Sequence, residues 1–421
     1  MKSRLPVEWE KVRLKDITQK IGSGATPRGG SKVYIDEGIS LIRSQNVLDF
    51  SFTEEGLVHI DEGAAEKLSN VKVFEKDVLI NITGDSVART CLVPIDVLPA
   101  RVNQHVSIIR VDKNLANYKY ISYKLHDLKR LLLSYSNSGG TRKALTKSML
   151  EDLEFNLPLL KEQEVIAATL SALDDKIENN NKINGNLEQQ AQEIFKHWFV
   201  DFEFPNENGE PFKSSGGEMV ESEIGLIPEE WEVNKIGEMV DNIKESVKPG
   251  EHLSNREYLP INNLSMKSVT VQDSESYKEA KSSLVLFEKF DILIGAMRVY
   301  FHRVNLSPFK GVTRTTTFVI RSKKADELSY NLFLLNLDET ISYANKTSKG
   351  TTMPYAVWEN GLAEMLVANP PLNIKRAFNE IILPSLELML NNAQENKKLS
   401  NLRDTLLPKL MSGELRIPLD E

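Results

Sequence analysis

The chain has 421 residues, 41% of them apolar, and a formal net charge of −8, which leaves room for two or three domains of ordinary globular composition. No run approaches eighteen apolar residues and the N-terminus MKSRLPVEWE lacks a signal-peptide core, so neither a membrane helix nor secretion is expected and the chain reads as cytoplasmic. A single cysteine, Cys91, excludes an internal disulfide framework and a cysteine-based zinc cluster, and its setting TCLVPI is that of a buried thiol.

The net charge conceals an uneven distribution. Residues 101–150 hold 10 basic and 2 acidic side chains and residues 281–324 hold 9 and 2, whereas 201–240 hold 2 basic and 11 acidic. Each basic block is either a solvated face or a surface for a polyanion.

In chain order, the first feature is a phrase that returns. LPVEWEKVRL (5–14) is answered by IPEEWEVNKI (227–236), and further matches follow in the same order. IRSQNVL (42–48) corresponds to PINNLS (260–265). EKDVLIN (75–81) corresponds to KFDILIG (289–295), each an apolar strand-like run after a charged turn. VNQHVSIIR, ending at Arg110, corresponds to TRTTTFVIR, ending at Arg321, and NSGGTRKAL around Gly140 corresponds to TSKGTTMPY around Gly350. A duplicated domain with small loop-length changes explains the series.

A long helical pattern follows each copy. Ile166, Leu170, Leu173, Ile177, Leu187, Ala191, Ile194 and Trp198 keep a 4-3-4-3 spacing, with Asn180 and Asn184 between them. The second copy places Phe378, Ile382, Met389, Leu399, Leu406 and Leu410 on the same seam, with Asn392 and Asn396 matching the two asparagines; Ser385 and Arg403 are exceptions. A helix apolar along one seam requires a partner, so the two are expected to form an intramolecular antiparallel pair, with buried Asn fixing its register. At about 1.5 Å per residue the first seam is roughly 50 Å long. Pro384 is expected to kink or restart the second helix.

The expected division is 1–160 first domain, 161–200 first helix, 201–222 acidic linker, 223–372 second domain, 373–412 second helix and 413–421 tail. The fold class is α/β: two globular mixed domains, two long antiparallel coiled-coil helices and a pseudo-two-fold internal repeat.

Motifs that suggest chemistry fail on inspection. GSGATPRGG (22–30) lacks the Gly-Lys-Ser/Thr of a phosphate loop and reads as a turn or substrate-contact loop. NPPL (369–372) lacks the aromatic of a methyltransferase motif and no methyl-donor loop accompanies it. Glu279 and Lys281 lack the upstream acid of a nuclease, and the six histidines show neither a metal-binding nor a triad spacing. No catalytic residue and no metal ligand is expected.

What remains is polar, basic loop material at matching places. In the first half it comprises Arg28, Lys32, Arg43, Ser44, Gln45, Asn46, Thr83, Arg89, Asn103, Gln104, His105, Ser138, Gly140, Thr141, Arg142 and Lys143. In the second it comprises Asn262, Asn263, Arg298, His302, Arg303, Arg314, Thr315, Lys349 and Thr351. Arg, Asn, Gln, Ser and Thr can read base edges, and Lys with backbone amides suits phosphates. Such a set points to double-stranded DNA; a protein-interaction scaffold on a coiled coil is the alternative.

These residues also resemble a known family, the DNA-specificity subunits of type I restriction-modification systems. LPVEWEKVRLKDI and IPEEWEVNKIGEM resemble its target-domain openings, and IFKHWFVDFEFP and LRDTLLPKLMSGEL its two helix endings. KEQEVIAATLSALDDKIENN is similar to the start of its first conserved helix, and NIKRAFNEIILPSLELMLNN is a looser match to the second. The resemblance implies two target-recognition domains on a helical spacer, each reading one half of an asymmetric, gapped DNA sequence. It implies a non-catalytic subunit whose partners are two methyltransferase subunits, docking on exposed helix faces within 174–193 and 386–405, and restriction-translocase subunits. Those partners would use S-adenosylmethionine, ATP and Mg, with no cofactor on this chain.

Overall fold

A computed structural model describes residues 9–137, 143–271 and 273–418. The start of the opening phrase and the loop positions Ser138, Gly140, Thr141 and Arg142 lie outside the described residues. The chain divides into two compact units: unit 1 comprises 1–175 and 400–421, and unit 2 comprises 176–399. The division cuts both long helices, so each unit carries half of the helix pair together with its own sheets.

Unit 1 contains β1 (Glu10–Arg13), β2 (Thr18–Ser23), β3 (Ile39–Ile42), β4 (Val58–Ile60), β5 (Lys72–Val73), β6 (Val78–Asn81), β7 (Thr90–Leu92), β8 (Ala100–Val102), β9 (Val106–Val111) and β10 (Glu154–Leu157). They form sheets in the orders β2-β9-β6-β7 and β4-β3-β8-β5, with β1 paired to β10. Unit 2 contains β11 (Met219–Ser222), β12 (Gly225–Pro228), β13 (Glu232–Lys235), β14 (Val240–Ile243), β15 (Ser246–Val247), β16 (Glu257–Tyr258), β17 (Glu275–Ser276), β18 (Leu284–Phe287), β19 (Ile292–Gly295), β20 (Val304–Leu306), β21 (Gly311–Arg314), β22 (Thr317–Ser322) and β23 (Leu366–Asn369). Its sheets repeat the topology as β14-β22-β19-β20 and β17-β16-β21-β18, with β13 paired to β23. Even the parallel contact of β3 with β8 returns as β16 with β21. Strand β15, added beyond β18, and the β11–β12 hairpin are extra.

The central strands are continuous apolar runs because both faces are covered. Along β6, Val78 and Ile80 enter one core and Leu79 another; along β19, Ile292 and Ile294 enter one and Leu293 another. That alternation is the two-residue period of a strand acting between two cores.

The charged turns before these strands are also duplicated. Asp77 and Asp291 each accept a bond from a backbone N–H three residues earlier, from Phe74 at 2.8 Å and from Glu288 at 2.7 Å. Each then receives a bidentate guanidinium from the neighbouring strand: Arg110 on Asp77 at 2.8 and 2.7 Å, and Arg321 on Asp291 at 2.7 and 2.7 Å. A fork-to-fork pair of this kind fixes geometry as well as adding energy. It also explains why each repeat of the sequence phrase ends in arginine.

The long helices span Leu160–Phe195 and Leu372–Ser412, and the first closes in a π turn, Lys196–Val200. Within unit 1, Ile166 and Leu170 share a core with Leu407 and Leu410, with Leu406 packed against it. Within unit 2, Phe195 and Trp198 share a core with Phe378, Ile382 and Met389, with Leu187 and Ile194 packed against it. Leu173, Ile177 and Leu399 are half-buried. Asparagines meet where the seam predicts: Asn392 Nδ2 donates to Asn184 Oδ1 at 2.8 Å, and Asn180 Nδ2 to Asn396 Oδ1 at 2.9 Å. As one number rises the other falls, so the two segments are antiparallel.

Three features depart from the sequence reading. Pro384 neither ends nor restarts its helix, which runs unbroken through it. Pro384 and Glu380 are both exposed, so water can satisfy the carbonyl that the missing N–H leaves free. The acidic segment after the first helix is an ordered part of unit 2: Phe204 stacks on Phe212 at 4.6 Å and lies 5.3 Å from Trp231, because three aromatic residues anchor an otherwise polar stretch. Arg403, an exception on the seam, is buried; its Nη1 meets Asp174 Oδ1 at 2.7 Å and its guanidinium lies 3.6 Å from the Phe50 ring centre.

Among the described residues no helix is long and apolar enough to cross a membrane.

Candidate nucleic-acid interface

The loops singled out by sequence converge in each unit, and the backbone shows how. In unit 1, β6 ends at buried Asn81, whose Nδ2 donates to Ser44 O at 2.8 Å and Val47 O at 3.2 Å, pinning the RSQN turn. The next residues join the other two segments. Ile82 N donates to His105 O at 2.9 Å, Leu145 N to Ile82 O at 2.8 Å and Gly84 N to Lys143 O at 3.2 Å, and Thr83 bridges Ala144.

Unit 2 repeats this junction with different residues. Ala296 N donates to Thr316 O at 2.9 Å, Ala356 N to Ala296 O at 2.8 Å and Arg298 N to Pro354 O at 2.8 Å, and Met297 bridges Tyr355. Gly295 keeps the strand end slim: an added Cβ would lie 3.2 Å from Arg303 Cβ and 3.3 Å from Ile261 Cγ1, in the INN turn.

In unit 1 the junction opens a cleft of about 430 Å³ lined by Ser44, Gln45, Thr83, Gly84, Asp85, Ser86, Arg89 and His105. Five of these belong to the expected set. Gln104 Nε2 lies 3.1 Å from His105 Nε2, and Thr83 Oγ1 lies 2.6 Å from His105 Nδ1. With the amide donating to Nε2, the imidazole carries its proton on Nδ1 and donates to Thr83, whose own hydroxyl hydrogen is left to bond a ligand. Gln45 Nε2 donates to Gly56 O at 3.2 Å, Arg43 Nη2 donates to the same carbonyl, and the Arg43 guanidinium lies 5.8 Å from the Tyr34 ring centre.

Arg28, Lys32 and Lys143 are exposed on neighbouring loops. Gly24 seats the first of these: its N donates to Val106 O at 3.0 Å, and an added Cβ would lie 1.9 Å from Val102 O. The GSGATPRGG segment is therefore a turn held against the β8–β9 connection.

Three expected contact residues are turned inward. Asn46 is fully buried; its Oδ1 accepts from Arg43 N at 3.0 Å and its Nδ2 donates to Thr53 O at 2.9 Å, so it builds the turn that presents Ser44 and Gln45. Asn103 is buried and accepts from His105 N at 3.0 Å. His302 is buried, with Nε2 3.0 Å from both Asn336 O and Asn336 Oδ1. A polar residue that shapes a turn has the same composition signature as one that faces a ligand, so spacing could not separate them.

In unit 2, Asn262, Arg298, Arg314, Thr315, Lys349 and Thr351 are exposed. Asn263 and Arg303 are half-buried; the Arg303 guanidinium lies 5.0 Å from the Phe301 ring centre, and burial lowers its pKa. Gly84, Asp85 and Ser86, which lie between the expected residues Thr83 and Arg89, also line the unit 1 cleft.

The basic blocks are not uniform faces. In 101–150, Arg101 is buried on Ala65 O at 3.0 Å, Arg110 is held by Asp77, and buried Lys124 bonds Met411 O at 2.9 Å and Asp127 at 3.0 Å. In 281–324, Arg321 is held by Asp291 and Lys323 bonds Glu238 O at 2.6 Å. The exposed cations on the junction loops are the ones left for a ligand to meet.

Both junctions are tied to the helix pair of their own unit. In unit 1, Phe50 stacks on His126 at 3.7 Å, beneath the Arg403–Asp174 pair. Burial, offset in part by Asp49, lowers the His126 pKa to about 4 and keeps the ring neutral. In unit 2, Glu188 accepts from Ser268 Oγ at 2.9 Å and Val269 N at 2.7 Å; burial raises its pKa. Among the described residues no cluster of His, Cys, Asp and Glu is placed to hold a metal ion, and Cys91 is buried with its thiol pushed up by burial.

Comparison with known proteins gives consistent results. The type I restriction modification DNA specificity domain matches residues 6–189. The type I restriction enzyme MjaIX specificity subunit of Methanocaldococcus jannaschii is 29% identical, covering 98% of this chain and 95% of its own. The HindI specificity subunit of Haemophilus influenzae is 25% identical, covering 66% of this chain and 72% of its own. Among solved structures, the S subunit of a type I restriction-modification system from M. genitalium shares the fold with a TM-score of 0.61 at 15% identity, covering 97% of this chain and 98% of that chain.

Proposed function

We propose that this chain belongs to the type I restriction-modification DNA specificity family, whose domain model and specificity subunits it resembles, and that it directs adenine-N6 methylation and restriction to an asymmetric, gapped DNA target, each unit reading one half-site. The observation that carries this is the duplicated junction. In both units the loops rich in Arg, Asn, Gln and Thr are joined by the same backbone bonds, while the side chains they present differ. A common frame with different reading groups suits two unequal half-sites.

Exposed Arg and Lys suit sequence-independent phosphate contacts, and Gln45, Arg89, Thr83 and Asp85 line the cleft with donors and acceptors of the kind that pair with base edges. Catalysis then belongs to partner subunits: two methyltransferases using S-adenosylmethionine, and ATP- and Mg-dependent restriction subunits, with no cofactor on this chain and the complex in the cytoplasm. Exposed Ile381 and Leu388, seven residues apart on one helix face, support methyltransferase docking within unit 2.

The test is coexpression with the cognate methyltransferase subunit in a methylation-free host, with N6-methyladenine mapped across the genome. An asymmetric gapped motif that disappears without this chain is the expected result. Methylation that is unchanged when the chain is omitted, or a stable complex that methylates nothing, refutes the proposal.

A further inference from the structure

The junction of unit 2 differs from that of unit 1 in one respect that charge does not explain: it exposes large apolar side chains. Tyr300 is 49% exposed, Met353 49% and Tyr355 48%. The backbone brings them together. Lys349 N donates to Tyr355 O and Tyr355 N to Lys349 O, both at 2.9 Å, closing a tight loop with Met353 near its tip. Arg298, in the left-handed region at φ 50°, donates to Pro354 O at 2.8 Å and begins the turn Val299–Phe301 that carries Tyr300. Arg298 and Lys349 are exposed on the same segments, and Arg314 is exposed on the adjoining segment whose Thr316 O accepts from Ala296 N. In the corresponding place unit 1 has Ser44, Gln45, Thr83, Asp85, Ser86 and Arg89, and the apolar residues of its matching segment NSGGTRKAL are the small Ala144, bridged to Thr83, and the buried Leu145.

Exposed apolar side chains gathered on one surface mark a contact rather than chance. Surrounded by cations, this patch fits a ligand that combines negative charge with small apolar groups. Duplex DNA offers that combination in its major groove, where phosphates flank the 5-methyl of thymine, the one methyl group displayed by unmodified base pairs. We propose that unit 2 recognises thymine in its half-site through apolar contact of Tyr300, Met353 and Tyr355 with 5-methyl groups, while unit 1 reads its half-site by hydrogen bonds. The inference rests on the DNA-reading function proposed above.

The test uses the full-length chain. Duplexes are first selected from a random pool, and the enriched motif is then synthesised with each thymine replaced in turn by uracil, which removes the methyl and nothing else. Affinity is expected to fall about fourfold for each contacted methyl, at one or more thymines confined to one half-site. The Tyr300→Ala/Met353→Ala/Tyr355→Ala variant, whose changes lie on the surface, should unfold at the wild-type temperature and bind thymine and uracil duplexes equally. If a motif is selected but uracil is tolerated throughout, or if the variant keeps the wild-type sensitivity to uracil, the thymine assignment is overturned and DNA reading stands. If no motif is enriched, both fall.

Discussion

Asp174→Ala separates a seam that is merely apolar from one held by a buried charge. Asp174 Oδ1 meets Arg403 Nη1 at 2.7 Å and its other oxygen accepts from the Tyr123 hydroxyl. Removing the carboxylate leaves Arg403, 9% exposed, over Phe50 with Asp404 at 2.9 Å as its remaining acid. Breaking a buried pair from one side costs about 3–5 kcal/mol, and because Asp404 persists the lower figure applies, about 3 kcal/mol. For a unit of this size, spanning 1–175 and 400–421, each kcal/mol lowers the midpoint by about 2–4 °C, so a fall of about 6–12 °C is expected by scanning calorimetry in the transition of unit 1. The double variant Asp174→Leu/Arg403→Met, in a Tyr123→Phe background that orphans no hydroxyl, should recover at least half of the loss, because no buried charge is stranded. A double variant whose loss equals the sum of its single variants refutes the argument that the two charges depend on each other.

The remaining predictions concern separate sites. Burial holds the pKa of His126 at about 4, below the 6.5 of a free imidazole, so the stability tied to its neutral form is complete above 6.5 and is lost as pH falls toward 4; the loss should reach at most about 3 kcal/mol, and His126→Phe should flatten that part of the stability-pH curve. Asn184→Leu should cost about 1–3 kcal/mol by stranding the Asn392 amide, whereas Asn184→Leu with Asn392→Leu should unfold at or above the wild-type temperature, with looser register measurable by cysteine cross-linking along the seam. Gly24→Ala should destabilise unit 1 and displace the Arg28–Lys32 loop, since its Cβ would meet Val102 O at 1.9 Å, and increased proteolysis within 24–33 would report it. DNA affinity should fall on the order of 10³-fold between 50 and 200 mM salt if several phosphates are contacted, and Arg314→Ala with Lys349→Ala should make that salt slope shallower by about two.

The sequence carried those parts of the fold whose physics is periodic. The 4-3-4-3 spacing located both helices and their partner faces, because burying one stripe of a helix demands a second helix at the same repeat. The asparagines at matched seam positions were readable for the same reason, since a polar side chain in an apolar seam is stable opposite one that satisfies it. The duplicated phrases ending in Arg110 and Arg321 marked a strand pair, although the reason for those arginines, an aspartate on the turn before the neighbouring strand, emerges only when the strands are side by side.

Single-residue roles were less legible. Asn46 and Gln45 are adjacent and similar in chemistry, yet one is buried in its turn and the other lines a cleft; the difference is a side-chain direction fixed by a bond to Thr53, not by composition. The count of basic residues overstated the polyanion face, because Arg101, Arg110, Lys124 and Arg321 serve carbonyls and carboxylates brought near by folding. Conversely, no pattern along the chain marks Tyr300, Met353 and Tyr355 as exposed; the loop closure places them outside.

By itself the sequence determined the duplication, the two antiparallel helices and the polar loop segments that meet at the two junctions, since each follows from local periodicity or from repetition along the chain. Tertiary structure alone decided which side chains of those segments face outward, which charges are spent internally and how the two junctions differ in polarity. Those depend on contacts between residues far apart in sequence, and a one-dimensional pattern holds no record of which distant groups will be neighbours.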